Sequence, residues 1–132
     1  VRRILGVLAC AAAAVAGCSD QGPVAGELSV RLATSRTTDR AVLFQVVGVE
    51  HGVTPGTGTS YRILSDTSAA GDTSWIAVIA PKGTGLAAGE IARIAVPDTR
   101  KAGTYQISLT EVAAADYSVG TFPGVTLTVV KP

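Results

Sequence analysis

From position 26 to the C-terminus, apolar and polar residues alternate at a spacing of two, and helical spacing is scarce. Residues 27–32 are the clearest stretch. Leu28, Val30 and Leu32 are expected on the buried face of a strand, with Glu27, Ser29 and Arg31 toward solvent. Residues 40–49 are more continuously apolar, through Ala41, Val42, Leu43, Phe44, Val46 and Val47, which predicts a central strand covered on both faces. Residues 60–64 predict a short strand, and residues 74–80, which include Trp75, Ile76 and Val78, a buried one. Alternation returns at 90–96, with Ala92, Ile94 and Val96 inward and Arg93 outward. In 104–112, Tyr105, Ile107 and Leu109 oppose Gln106, Ser108 and Thr110. Residues 125–130 close the set with Val125, Leu127 and Val129 inward.

Turn-forming groups separate most of these runs: Thr54-Pro55-Gly56, Ala70-Gly71-Asp72, Pro81-Lys82-Gly83, Pro97-Asp98 and Phe122-Pro123-Gly124. Short strands at this spacing predict an all-β sandwich of about seven to eight antiparallel strands. A βαβ arrangement needs a helix between strands, and the longest helical candidate past position 25, residues 112–116, is one turn.

The N-terminal pattern differs. Arg2 and Arg3 precede an uncharged run over 4–17, shorter than the roughly 20 apolar residues of a membrane span. It reads as the apolar helix of a secretory signal peptide. Its end, Val15-Ala16-Gly17-Cys18, resembles the lipobox of bacterial lipoproteins. The resemblance implies cleavage after Gly17 and a diacylglyceryl group on Cys18. Residues 1–17 are then the signal, 18–25 the lipidated N-terminus and tether, and 26–132 the sandwich domain. Two or more acyl chains anchor stably where one does not. Cys10 leaves with the signal and Cys18 carries lipid, so neither disulfide nor thiol chemistry is expected of the domain. The implied location is the cell envelope, facing periplasm or exterior. Ser19 after Cys18, in place of Asp, points to the outer membrane where there are two.

Composition narrows the function classes. The chain is 47% hydrophobic and 16% charged, too apolar for a disordered tail. Its formal charge of +1 argues against nucleic acid as a partner. His51 is the single imidazole, and no nucleophile elbow nominates a serine. The glycines of 83–89 precede a strand, whereas a phosphate cradle opens a helix. Asp66, Asp72, Asp98 and Asp116 lack calcium-loop spacing and read as turn residues. Neither catalysis, a metal nor a cofactor is expected, and the chain reads as a non-enzyme.

One further resemblance concerns the second half. Gly89-Glu90-Ile91-Ala92-Arg93-Ile94-Ala95-Val96-Pro97, then Lys101-Ala102-Gly103-Thr104-Tyr105-Gln106-Ile107-Ser108-Leu109, then Val112 with Asp116, is similar to the closing strands of cohesin domains. It implies a jelly-roll sandwich that presents a surface to another envelope or extracellular protein. The polar positions of the later strands, Arg93, Gln106, Ser108 and Thr110, are the candidate protein-binding face. Related sandwiches include carbohydrate-binding modules, so a polysaccharide ligand is the alternative, with Tyr61, Trp75 and Tyr117 as the candidate rings. Of these Trp75 is expected to pack largely against the facing sheet, while Tyr61, Tyr117 and Phe122 lie at strand ends or loops.

Overall fold

The computed structural model describes residues 22–132. The signal-peptide helix, Val15, Ala16, Gly17 and Cys18 lie outside the described residues. Of the described residues 49% are strand and 5% helical, and the strands form two antiparallel sheets. In chain order they are β1 (Gly26–Ala33), β2 (Ala41–Val47), β3 (Val53–Pro55), β4 (Arg62–Thr67), β5 (Thr73–Ile79), β6 (Gly89–Val96), β7 (Gln106–Ala113), β8 (Val119–Gly120) and β9 (Thr126–Val130). One sheet has the order β3-β6-β1-β9, the other β4-β5-β2-β7-β8. Each of the seven stretches read as a strand contains one, although the one expected at 60–64 is displaced to Arg62–Thr67. β3 and β8, three and two residues long, are too short to carry a readable period.

The core fills the space between the sheets. Leu28, Val30 and Leu32 from β1 and Ile94 and Val96 from β6 meet Val42, Phe44 and Val46 from β2 and Ile76 and Val78 from β5. Burying a side chain of this size contributes roughly 1.5–3 kcal/mol, and so the inward positions dominate the fold's stability.

Two register shifts tune the alternation. In β7 the pairing with β2 skips from Leu109 opposite Phe44 to Glu111 opposite Leu43, leaving Thr110 as an extra residue. Strict alternation from Leu109 would drive Glu111 into the core; the bulge turns it to solvent and returns Val112 to the interior. A second shift, between Val30 and Arg31 of β1, lets the adjacent Ile91 and Ala92 of β6 both be buried.

Three expectations change. β2 is central, but only its Val42, Phe44 and Val46 side is in the core; Ala41, Leu43 and Gln45 are half-buried on a face that no third layer covers. β5 likewise buries Ser74, Ile76 and Val78, while Trp75 points outward and is 42% exposed. Its inward counterpart Ser74 is satisfied by Glu50, which accepts from the Ser74 hydroxyl at 2.8 Å. Ser29, placed toward solvent by alternation, is fully buried because side chains of β6 fold over it.

Connections close the ends. Between β6 and β7, Thr99–Thr104 is a 3₁₀ segment capped by Asp98, which accepts from the Arg100 amide. Asp98 also accepts from the Val24 amide at 3.3 Å, and the Val24 carbonyl accepts from the Thr99 amide at 2.8 Å. The chain is therefore fastened to the sandwich before β1 begins. At the same end, Gly48 has φ +142 and lies under the Tyr105 ring, where a Cβ would collide. The Tyr105 hydroxyl donates to the Val49 carbonyl across it.

Candidate binding face

The two outward faces of the sandwich have opposite chemistry. On the four-stranded sheet, Ser29 pairs with Arg93, Arg31 with Glu90 and Glu27 with Ala95, which brings a charged network together. Glu90 is its hub. It accepts from the Ser29 hydroxyl at 2.6 Å, the Thr57 amide at 2.7 Å and Arg93 Nε at 3.0 Å. Burial pushes the Glu90 carboxyl up, but the hydrogen bonds from Arg93, Ser29 and Thr57 outweigh it and hold the group at about 2. Arg93 reaches Glu27 as well, at 3.4 Å. The polar groups here mostly satisfy one another.

The outward face of the five-stranded sheet is apolar along its middle. Its cross-strand rows follow from the register. One row runs Arg62, Ile79, Ala41, Ala113 and Val119; the next runs Leu64, Ala77, Leu43 and Glu111; a third runs Asp66, Trp75, Gln45 and Ser108. Leu64 is 49% exposed and Val119 59%. Two shallow depressions adjoin along this face. One of about 240 Å³ is lined by Leu43, Leu64, Asp66, Trp75 and Ala77. The other, of about 180 Å³, lies between Leu43, Ile79, Glu111, Ala113 and Val119. The Asp66 and Glu111 carboxylates flank the apolar strip and accept no hydrogen bond among the described residues. Three strand spacings separate β4 from β7, roughly 14 Å.

The structure divides the residues singled out from sequence. Gln106, Ser108 and Thr110 are exposed on β7, at the margin of the apolar face. Arg93 belongs to β6 in the other sheet and is engaged by Glu90 and Glu27, so the four polar residues do not form one surface. Tyr61 is half-buried against the core, and its hydroxyl accepts from the Ala87 amide at 3.0 Å, so it acts as a staple between loops. Phe122 is half-buried beneath the Arg36 guanidinium, 3.9 Å from its centroid. Tyr117 is 62% exposed in the β7–β8 turn, at φ 66, with Arg40 at 5.8 Å from its ring. The row entering that turn is four residues from the Trp75 row along β2, roughly 13 Å. Trp75 and Tyr117 are therefore separate stations, and neither shares a platform with Tyr61.

The remaining candidates have structural partners or none. His51 is exposed, with its amide bonded to the Ala95 carbonyl. Asp72 accepts from the Ser68 hydroxyl, and Asp116 accepts from the Ser118 amide and hydroxyl, which hold the Asp116 carboxyl below its ordinary value. Among the described residues no group of three or more His, Cys, Asp or Glu is placed to hold a metal ion. What sequence reasoning missed is the outward-facing set Leu43, Leu64, Ala77 and Glu111, of which Leu43 and Ala77 are half-buried. The signal was an apolar β5 flanked by a β4 in which Arg62 and Asp66 bracket Leu64 at alternate positions.

Comparison with protein-family models finds no match, and searches of curated proteins and of solved structures find none either.

Proposed function

We propose that this chain is a non-catalytic, lipid-anchored protein of the bacterial cell envelope whose cohesin-like sandwich binds another envelope or extracellular protein. The observation that carries the binding role is Trp75, exposed on a depressed apolar strip with a polar margin. Apolar strips of this kind, rimmed by polar residues, are characteristic of protein-interaction surfaces, and Trp is enriched where such surfaces bind most strongly. The fitting partner presents apolar side chains between basic ones, which would meet Asp66 and Glu111. The anchor reading rests on the order Arg2-Arg3, apolar run, Val15-Ala16-Gly17 and Cys18. It supplies the membrane as the second partner, and the short tether before Val24 holds the domain near it.

Two experiments test this. Cys18→Ala is expected to stop labelling by a lipid precursor, and labelling that persists rejects the anchor. Affinity capture with the chain is expected to recover a stoichiometric protein that is lost with Trp75→Ala and retained with Arg31→Ala on the opposite face. Recovery indifferent to Trp75 rejects the surface.

A second reading, a carbohydrate-binding module, is favoured by Asp66, Gln45 and Ser108 standing in the same row as Trp75, as hydrogen-bonding groups beside a stacking ring. Trp75 is the only tryptophan, so its fluorescence reports directly on polysaccharide titration. A saturable shift supports this reading, and a flat response across a broad panel removes it.

A further inference from the structure

The sheet ends are protected unequally. β3 is three residues long and ends in Pro55, β8 has two residues, and β9 is followed by Lys131 and Pro132. Shortness, proline and lysine are the usual means of blocking edge-to-edge pairing. β4 has none of them. It is six residues long, pairs with β5 without a register shift, and is exposed at every residue except Ile63.

Its backbone phase is set by the Ser68 amide, which donates to the Thr73 carbonyl. Residues 62, 64, 66 and 68 therefore bond toward β5, and Ile63, Ser65 and Thr67 turn their N–H and C=O groups to the open side. On the outward face β4 carries Arg62, Leu64 and Asp66, opposite Ile79, Ala77 and Trp75. The Arg62 and Asp66 side chains make no ion pair or hydrogen bond among the described residues.

We propose that two copies of this chain associate through β4, antiparallel, with Leu64 on the two-fold axis. This register places Ile63 opposite Ser65 of the second copy, and both have free outward backbone groups to exchange. It sets Leu64 against Leu64 in a non-hydrogen-bonded pair, where side chains are closest. It also sets Arg62 opposite Asp66 of the second copy, twice by symmetry. A slip of two residues either way puts Leu64 opposite a charge and leaves the ions unmatched, so the strand is self-complementary in one register. The result is a continuous ten-stranded sheet whose apolar outward strip runs across both copies. The inference is independent of what that strip binds.

The test uses the full chain in detergent. Leu64→Cys is expected to give a reducible dimer under mild oxidation, since directly opposed residues in such a pair lie about 4.5 Å apart at Cα, within disulfide range. Lys82→Cys, on a remote exposed loop, should give no more than the background of the native cysteines. Arg62→Asp or Asp66→Arg is expected to weaken self-association about tenfold, by placing like charges opposite each other twice. The combined Arg62→Asp/Asp66→Arg variant should recover to within about threefold, because the pairing is restored in reverse. Sedimentation as a monomer at millimolar concentration, cross-linking no greater than that of Lys82→Cys, or no recovery in the double variant would each overturn the proposal. Unchanged circular dichroism in the charge variants keeps a folding defect from imitating a positive result.

Discussion

The outward faces of the two sheets are built from strands of similar length on the same core, yet they solve opposite problems. On the four-stranded sheet, Glu90 collects donors from Ser29, Thr57 and Arg93, and buried Ser29 has its partner there. That surface is consumed in holding itself together. On the five-stranded sheet, Trp75, Leu64 and Val119 stand exposed while the Asp66 and Glu111 carboxylates have no partner among the described residues. Polar groups that are satisfied internally contribute to stability, whereas apolar groups left in water contribute only when something covers them. The contrast separates a face whose polar groups hold one another from the face proposed here to bind a partner.

Substitutions on the two faces should therefore split between stability and binding. Glu90→Ala is expected to destabilise the fold by about 2–3 kcal/mol, because it strands a buried hydroxyl and removes the main partner of Arg93. Chemical denaturation measures this, and a loss below about 0.5 kcal/mol, the size of an ordinary surface change, would erase the distinction between the faces.

The same residue sets an acid response. The Glu90 carboxyl is held at about 2 in the fold against an ordinary 4.5. Its contribution is thus fully present above pH 4.5 and lost as the pH falls from there toward 2. Asp98, held low by hydrogen bonds from the Arg100 side chain against the opposing effect of burial, adds in the same direction. Unfolding curves at several pH values are expected to show a slope in this window that flattens in Glu90→Gln. An unchanged slope would assign the acid sensitivity elsewhere.

On the apolar face, Trp75→Thr keeps a β-favouring residue and should cost only about 1 kcal/mol of stability, while partner capture falls at least tenfold. A large stability loss with intact capture would reverse the assignment of this face. The smallest effect is expected at the margin. Tyr117 occupies a left-handed turn position that favours glycine, so Tyr117→Gly should stabilise the fold by about 0.5 kcal/mol, visible as a small rise in Tm.

Much of the fold was legible because a strand with one buried side carries its own periodicity. Leu28, Val30 and Leu32, and Ile94 and Val96, announced their side of the sheet directly. Trp75 did not. β5 is apolar on both sides, with a serine on the inward parity and a tryptophan on the outward one, so periodicity alone could not choose between them. Arg93 and Gln106 looked alike as polar positions of consecutive strands, yet the chain crosses from one sheet to the other between them through the 3₁₀ segment. The Thr110 bulge was hidden for a related reason. One extra residue resets the parity, and the only local hint was Glu111 falling in step with Ile107 and Leu109.

The sequence by itself determined that this chain is built of strands, where most of them lie and which residues form much of its core, because side-chain alternation is a local property of backbone geometry and burial. Tertiary structure alone decided which outward positions share a surface. Pairing joins Asp66 to Trp75 and Gln45 to Ser108, partners up to 63 positions apart in the chain, through backbone hydrogen bonds that any residue but proline can form. A binding face assembled across such rows leaves no contiguous trace in the sequence.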